Sequence, residues 1–276
     1  MELIKTTIPI GLERPVRVLH ITDTHLPLCR EDDEPQFAQA AARRGAPAPI
    51  LAALDEQLAF AEAHCDLLLH TGDLIDFMSK ANIAFLQKFL QHEKVLFVPG
   101  NHEYWRSDGG FEDMAYRMES YGRMDGLGAE LFFTSRVVGG VSFVGLDDVY
   151  HQVEPWQLER LQTEVEKGRP VVLFLHAPLF EQTLYDRSVA YWHDGTAYLV
   201  GCDDAHTASY SDYGIRTQKP TEATKAFTDY VNRESRIKAV VAGHVHFNFE
   251  SRLPGGTLQV VTDCSRKGAA REITFV

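Results

Sequence analysis

At 276 residues and 45% hydrophobic content, the chain is long enough to bury a sizeable core, and its formal charge of −12 (27 Lys and Arg against 39 Asp and Glu) is too acidic to gain from counterion release on duplex DNA. Binding to long nucleic acid is therefore disfavoured, although a local basic patch would still hold a small phosphate. Cys29, Cys65, Cys202 and Cys264 show no C-x-x-C pairing and read as reduced thiols. The first nine residues lack the roughly 7–15-residue apolar stretch of a signal peptide, and no run approaches the ~18–20 apolar residues of a membrane span. A cytoplasmic protein with no membrane partner is expected.

Taken in chain order, residues 16–22 form a short β-type run that stops at Asp23. Residues 26–48 follow with an acidic stretch (Glu31, Asp32, Asp33, Glu34), then an alanine-rich patch with Arg43 and Arg44. Ile50, Leu51, Leu54, Leu58 and Ala61 fall at helical spacing after Pro47 and Pro49. Residues 67–71 make a second β-type run before Gly72-Asp73. Ile83, Leu86, Phe89 and Leu90 make a helical stripe, and residues 94–98 a third run before Pro99-Gly100-Asn101. Pro155 suits a first helical turn ahead of Leu158, Leu161 and Val165. Residues 171–175 precede His176. Ala223, Phe227, Tyr230 and Val231 form another stripe, and residues 238–242 lead into Gly243-His244.

These near-continuous apolar runs suit strands buried on both faces, and their alternation with helices predicts an α/β fold with open sheets. From Phe247 onward, strand-like runs around Pro254-Gly255-Gly256 predict antiparallel hairpins closing a second sheet. One domain over 1–276 is expected. Residues 26–48 and 179–220, the latter rich in aromatics (Phe180, Tyr185, Tyr191, Trp192, Tyr198, Tyr210, Tyr213), are long for plain connections and suit a lid or binding wall.

Five motifs sit at the ends of these runs: Asp23-Thr24-His25, Gly72-Asp73-Leu74-Ile75-Asp76, Gly100-Asn101-His102-Glu103, Leu175-His176-Ala177-Pro178 and Gly243-His244-Val245-His246. In open α/β sheets, ligands collect at the carboxyl ends of strands, so the spacing delivers all five clusters to one rim. Carboxylates, an amide oxygen and imidazoles together are what two adjacent divalent cations need. A carboxylate such as that of Asp73 can bridge two cations, and Asn101 adds coordination without charge. Each motif alone would read as a turn or a satisfied core residue. His20, His64, His70, His92, His151 and His206 are left in that class, with His193 marginal for its aromatic neighbours.

The ordered set, D-x-H, G-D-x-x-D, G-N-H-[DE], H and G-H-x-H, resembles the signature of the calcineurin-like metallophosphoesterase family, and the likeness spans Asp23 to His246. The resemblance implies a two-sheet β-sandwich flanked by helices in four layers. It also implies a dinuclear centre with Mn²⁺ or Fe, Zn²⁺ being possible. One metal would take Asp23, His25, Asp73 and His246; the other would take Asp73, Asn101, His176 and His244. His102 matches the catalytic histidine, a general acid beside a metal-activated hydroxide, and Asp76 matches the acid that orients it. Glu103 reads as structural.

The implied activity is hydrolysis of a small phosphate ester, a phosphodiester or nucleotide-like substrate first and a phosphomonoester second. Protein phosphatases of the family continue the second motif with Arg-Gly, whereas Asp76 is followed by Phe77-Met78, which disfavours a phosphoprotein substrate. Tyr191 and Trp192 are the candidate residues for stacking on a base. A non-catalytic scaffold would be expected to have lost ligands, and a two-His-one-carboxylate iron oxygenase would leave Asn101 and His102 without work.

Overall fold

The computed structural model describes residues 1–276 apart from Phe111, Asp125, Gly126, Gly128, Ala129 and Asp194. Its strands are β1 (Glu2–Ile8), β2 (Val16–Ile21), β3 (Leu67–His70), β4 (Val95–Phe97), β5 (Phe133–Val138), β6 (Val141–Leu146), β7 (Val171–Phe174), β8 (Ile237–Ala242), β9 (Phe249–Arg252), β10 (Leu258–Val261) and β11 (Ala269–Phe275). Its helices are α1 (Pro35–Arg44), α2 (Ala48–His64), α3 (Lys80–Phe89), α4 (Met114–Arg123), α5 (Pro155–Glu166), α6 (Gln182–Trp192), α7 (Asp204–Thr207), α8 (Asp212–Gln218) and α9 (Glu222–Arg233).

A five-stranded sheet runs β1-β11-β2-β3-β4 and a six-stranded sheet runs β5-β6-β7-β8-β10-β9. Strands β2, β3 and β4 are parallel, as are β6, β7, β8 and β10. Alternate side chains explain why the runs read as continuously apolar. Val18, Leu67, Leu69, Val172, Phe174 and Val241 fill the core between the sheets. Leu19 and Leu68, one residue out of phase, meet Phe37 of α1, Leu54 of α2 and Leu86 of α3. Leu173 and Val240 likewise meet Leu161 of α5 and Phe227 of α9. Period-2 side chains with both faces covered give the layering helix, sheet, sheet, helix.

Local chemistry sets the helix starts. Pro155 opens α5 at its first turn, the Ser79 hydroxyl accepts the Asn82 N–H at the head of α3, and the Thr221 hydroxyl accepts that of Thr224 at α9. The hairpin β9–β10 does close the second sheet. The last strand corrects the expectation: β11 crosses back to the first sheet, parallel to β1 and antiparallel to β2. Among the described residues no helix is long and apolar enough to cross a membrane.

Residues 26–48 carry α1, whose Phe37 is fully buried and stacks on Phe77 at 5.5 Å. Within 179–220, where Asp194 lies outside the described residues, α6 and the turns after it pack Leu184, Leu199 and Cys202 onto Val245 and Val261. That packing walls one side of the sheet rim.

Candidate metal centre

Beyond β2, β3, β4, β7 and β8 the chain turns sharply, and the five motifs meet at the carboxyl ends of both sheets. Asp23, His25, Asp73, His244 and His246 have φ of 54°, 47°, 54°, 67° and 57°, in the left-handed region that side chains with a Cβ rarely adopt. Residues two apart therefore converge here through coiled backbone rather than through strand pleat. Such strain costs on the order of 1–3 kcal/mol per residue and persists where the surroundings over-determine it. Gly72, at φ 89°, sits so close to the β4 turn that a Cβ would lie 2.5 Å from the Gly100 nitrogen and 2.7 Å from His176 Nδ1.

The donor atoms fall into two groups that share one oxygen. In the first, His25 Nε2 lies 3.1 Å from His246 Nε2, and His246 Nε2 lies 3.1 Å from Asp23 Oδ1. In the second, His176 Nε2 lies 2.9 Å from His244 Nδ1 and 3.2 Å from Asn101 Oδ1. Asp73 Oδ2 stands 3.7 Å from His25 Nε2 and 3.5 Å from His176 Nε2, between the groups. Imidazole nitrogens turned toward one another beside buried carboxylates fit a shared cation at each group better than hydrogen bonding alone, and the mixed oxygen and nitrogen set suits first-row metals.

A buried frame holds these donors. The Thr22 hydroxyl and the His244 backbone N–H both donate to Asp23 Oδ2, at 2.7 and 2.8 Å. The His102 backbone N–H donates to Asp73 Oδ1 at 2.8 Å, leaving Oδ2 for the cluster. His176 Nδ1–H donates to the Thr71 carbonyl at 2.7 Å, which directs Nε2 inward. Burial opposes ionisation of Asp23, but His246, His176 and His25 outweigh it and hold its carboxyl well below the usual range. Glu103 accepts backbone N–H groups from Asp73, Ile75 and Gly100 at 2.8, 3.1 and 2.6 Å. Burial and the neighbouring Asp73 push its pKa up to about 8, yet three N–H donors call for carboxylate acceptors, so it clamps two motif loops together.

His102 stands beside the cluster, its ring edge-on to His25 at 4.5 Å. Its Nδ1–H donates to the Asp76 backbone carbonyl at 2.7 Å, with Asp76 Oδ1 at 3.3 Å. The same carboxylate meets His25 Nδ1 at 3.2 Å and accepts from Arg44 Nε at 2.7 Å. Burial opposes the charge on His102, but Asp73 and Asp76 outweigh it and raise its pKa to about 10. Arg44, at the end of α1, was not singled out as a site residue from the sequence.

Between the donors and α6 lies a cavity of about 190 Å³, lined by His25, Asp73, Asn101, His102, His244 and His246 with Trp192 and Tyr198 as its aromatic side. No Lys or Arg lines it among the described residues. A larger cavity of about 330 Å³ near Arg233 and Gly255 holds no imidazole, so size alone does not select the site. Trp192 is about one-third exposed and meets His246 at 5.6 Å. Tyr191 lies behind the wall, its ring 5.1 Å from Phe247 and its hydroxyl donating to the His246 carbonyl at 3.3 Å. Tyr198, rather than Tyr191, is the second aromatic of the cavity.

Two residues at a sixth strand end escaped the sequence reading. Beyond β6, Asp148 accepts the backbone N–H groups of His176 and Ala177 at 3.1 and 2.9 Å, and His151 lies 3.2 Å from His244, Nε2 to Nε2. Burial foremost, with His176, lowers the His151 pKa to about 3 and keeps the ring neutral. The available signal was the apolar run 141–146 ending at Asp147-Asp148, with the same strand-then-carboxylate form as the Asp23 and Asp73 motifs.

The calcineurin-like phosphoesterase family model matches residues 16–248. No curated protein matches the chain. Among solved structures, a dimetal phosphatase from Danio rerio is similar at 14% identity and a TM-score of 0.48, covering 90% of this chain and 87% of the other. Phosphopantetheinyl hydrolase from Mycobacterium tuberculosis is similar at 14% identity and a TM-score of 0.43, covering 95% and 91%. The calcineurin-like phosphoesterase YfkN from Bacillus subtilis is similar at 12% identity and a TM-score of 0.41, covering 92% and 82%.

Proposed function

This chain belongs to the calcineurin-like phosphoesterase family, a phosphoric ester hydrolase family with a dinuclear metal centre, and on that premise we propose that it hydrolyses a small phosphodiester of nucleotide-like form. Asp23, His25, Asp73 and His246 would hold one cation, and Asp73, Asn101, His176 and His244 the other. Mn²⁺ or Fe is the proposed metal, with Zn²⁺ as the alternative. Two cations held there would supply positive charge to the phosphoryl oxygens and a nucleophile from water near neutral pH.

The protein's own part is orientation and proton transfer. With Nδ1–H donated to the Asp76 carbonyl, the imidazolium of His102 presents Nε2–H to the cavity and would give that Nε2 proton to the leaving oxygen as the phosphorus–oxygen bond breaks, leaving a neutral ring with its proton on Nδ1. Asp76 holds the ring in this orientation. Asp73 and Asp76 favour the protonated ring that this transfer needs.

The observation that carries the diester reading is the cavity lining, aromatic on one side and, among the described residues, without Lys or Arg. A monoester dianion gains from a guanidinium or ammonium group; a diester carries one negative charge and a second organic substituent that an aromatic wall can cover. Trp192 and Tyr198 would form that wall.

Hydrolysis of bis(p-nitrophenyl) phosphate and p-nitrophenyl phosphate by metal-stripped protein, before and after Mn²⁺ is returned, tests the proposal beside Asp73→Asn. Metal-dependent turnover with the diester faster, and lost in Asp73→Asn, is expected. A faster monoester would replace the diester reading with a phosphomonoesterase. Metal-independent turnover would remove the dinuclear assignment.

A further inference from the structure

His244 presents its two ring nitrogens to two different neighbours. Nδ1 lies 2.9 Å from His176 Nε2, inside the second donor group, and Nε2 lies 3.2 Å from His151 Nε2. A neutral imidazole carries one N–H, so a cation on Nδ1 leaves the His244 proton on Nε2. His151 Nε2 is then the acceptor, and His151 carries its own proton on Nδ1.

We propose that His151 is the positioning residue of the second metal site: its Nε2 accepts the His244 Nε2–H, fixes the tautomer that leaves Nδ1 free, and thereby sets the affinity of that site for its cation. This rests on the two-metal reading above. Metal-ligating histidines ordinarily donate their remaining N–H to a carboxylate, a backbone carbonyl or water. Here another histidine takes that place.

The surroundings hold His151 to the task. It is buried, has φ 59°, and packs edge-on to His244 with ring centroids 5.1 Å apart. An N–H on His151 Nε2 would oppose the His244 N–H across the 3.2 Å between them, so the His151 proton belongs on Nδ1. The space remaining beside it, among Asn101, Asp148 and His176, is about 10 Å³, at the lower limit for one water. No motif of the first and second donor groups includes this residue.

The test is Mn²⁺ titration into the metal-stripped full chain by calorimetry, with metal counted after dialysis and the spin-coupled dimanganese signal read by electron paramagnetic resonance. His151→Ala should weaken the second site by about 10–100-fold and leave the first unchanged. His151→Gln, whose Oε1 still accepts, should restore most of that affinity and the coupled signal. If His151→Ala does not fold, His151→Phe, which keeps the volume and has no acceptor, takes its place against His151→Gln. Two native-affinity Mn²⁺ sites in the variant lacking an acceptor, or equal weakening in that variant and His151→Gln, would overturn the inference. A native chain binding fewer than two Mn²⁺ would overturn the two-metal reading itself and this inference with it.

Discussion

His102 and Arg44 act on one carboxylate, and their variants separate proton transfer from metal holding. His102 contributes its backbone N–H to Asp73 but no side-chain atom to either donor group, so His102→Ala keeps the Asp73 contact and removes only the ring. Turnover should fall by about 10²–10⁴-fold, the usual range for a lost general acid, with metal content unchanged. Steady-state kinetics beside metal analysis decide it, and retained turnover would strip His102 of the role. Arg44 donates from half-exposed α1 to fully buried Asp76. Its removal leaves that carboxylate facing only His25 and His102 among the described residues, which should pull His102 off its Nδ1 contact. Arg44→Ala should lower kcat severalfold with two metals retained, and Arg44→Lys, which cannot reproduce the planar Nε geometry, should rescue only part. Equal kcat in all three proteins would show that Asp76 holds His102 unaided.

Strand ends made the centre readable before any coordinates. Each of β2, β3, β4, β7 and β8 is an apolar run followed within four residues by a candidate ligand, so one-dimensional pattern carried three-dimensional convergence. The end of β6 had the same form, but its histidine sits four residues after Asp147 and made no short motif. Arg44 was hidden for another reason: its contact with Asp76 spans 32 residues and depends on where α1 packs. Strand β11 was misplaced because its partners β1 and β2 are set by long-range pairing, which local periodicity does not encode. The aromatic wall was half legible, since Trp192 and Tyr191 are adjacent on α6 and only packing decides which one faces the cavity. Glycine at the β8 end carries its own test. A Cβ on Gly243 would run into the Thr22 hydroxyl and Asp23 Oδ2, the pair that fixes the first donor group. Gly243→Ala should lower Mn²⁺ affinity by at least about tenfold with helix content unchanged. Gly122→Ala on α4, where a Cβ meets nothing within 4 Å, should leave metal binding alone and stabilise the helix by up to about 1 kcal/mol.

At the scale of the whole molecule, the sheet interior and the site are joined by buried neutral histidines. His20 meets the Thr262 and Thr71 hydroxyls at 2.7 and 2.9 Å, and the Thr71 carbonyl in turn accepts from His176. His70 meets the Thr24 hydroxyl at 3.0 Å. Burial foremost lowers the pKa of both His20 and His70 to about 3, helped for His20 by Arg271. In the unfolded chain these rings protonate near pH 6.5, whereas in the folded chain they refuse the proton until about pH 3. Between those limits the unfolded state binds more protons, so stability falls as pH falls, by up to about 1.4 kcal/mol per pH unit for each histidine. Glu103 and Asp148, whose pKa values burial raises, act in the opposite direction over the same range, so the slope of the denaturant midpoint between pH 6 and 5 in chelator, where metal loss cannot contribute, is compared between the native chain and a variant. His20→Gln keeps a hydrogen-bonding side chain without a titrating ring and should lose one proton's worth of that slope. An unchanged slope would mean that His20 is hydrated or already charged in the folded protein. Returned Mn²⁺ acts in the opposite direction: a ligand bound only by the folded state at 100 times its Kd adds about 2.7 kcal/mol per site. That gain should vanish on acidification before the histidine-linked loss is complete, because the candidate ligands His25, His176, His244 and His246 must be neutral to hold the metal.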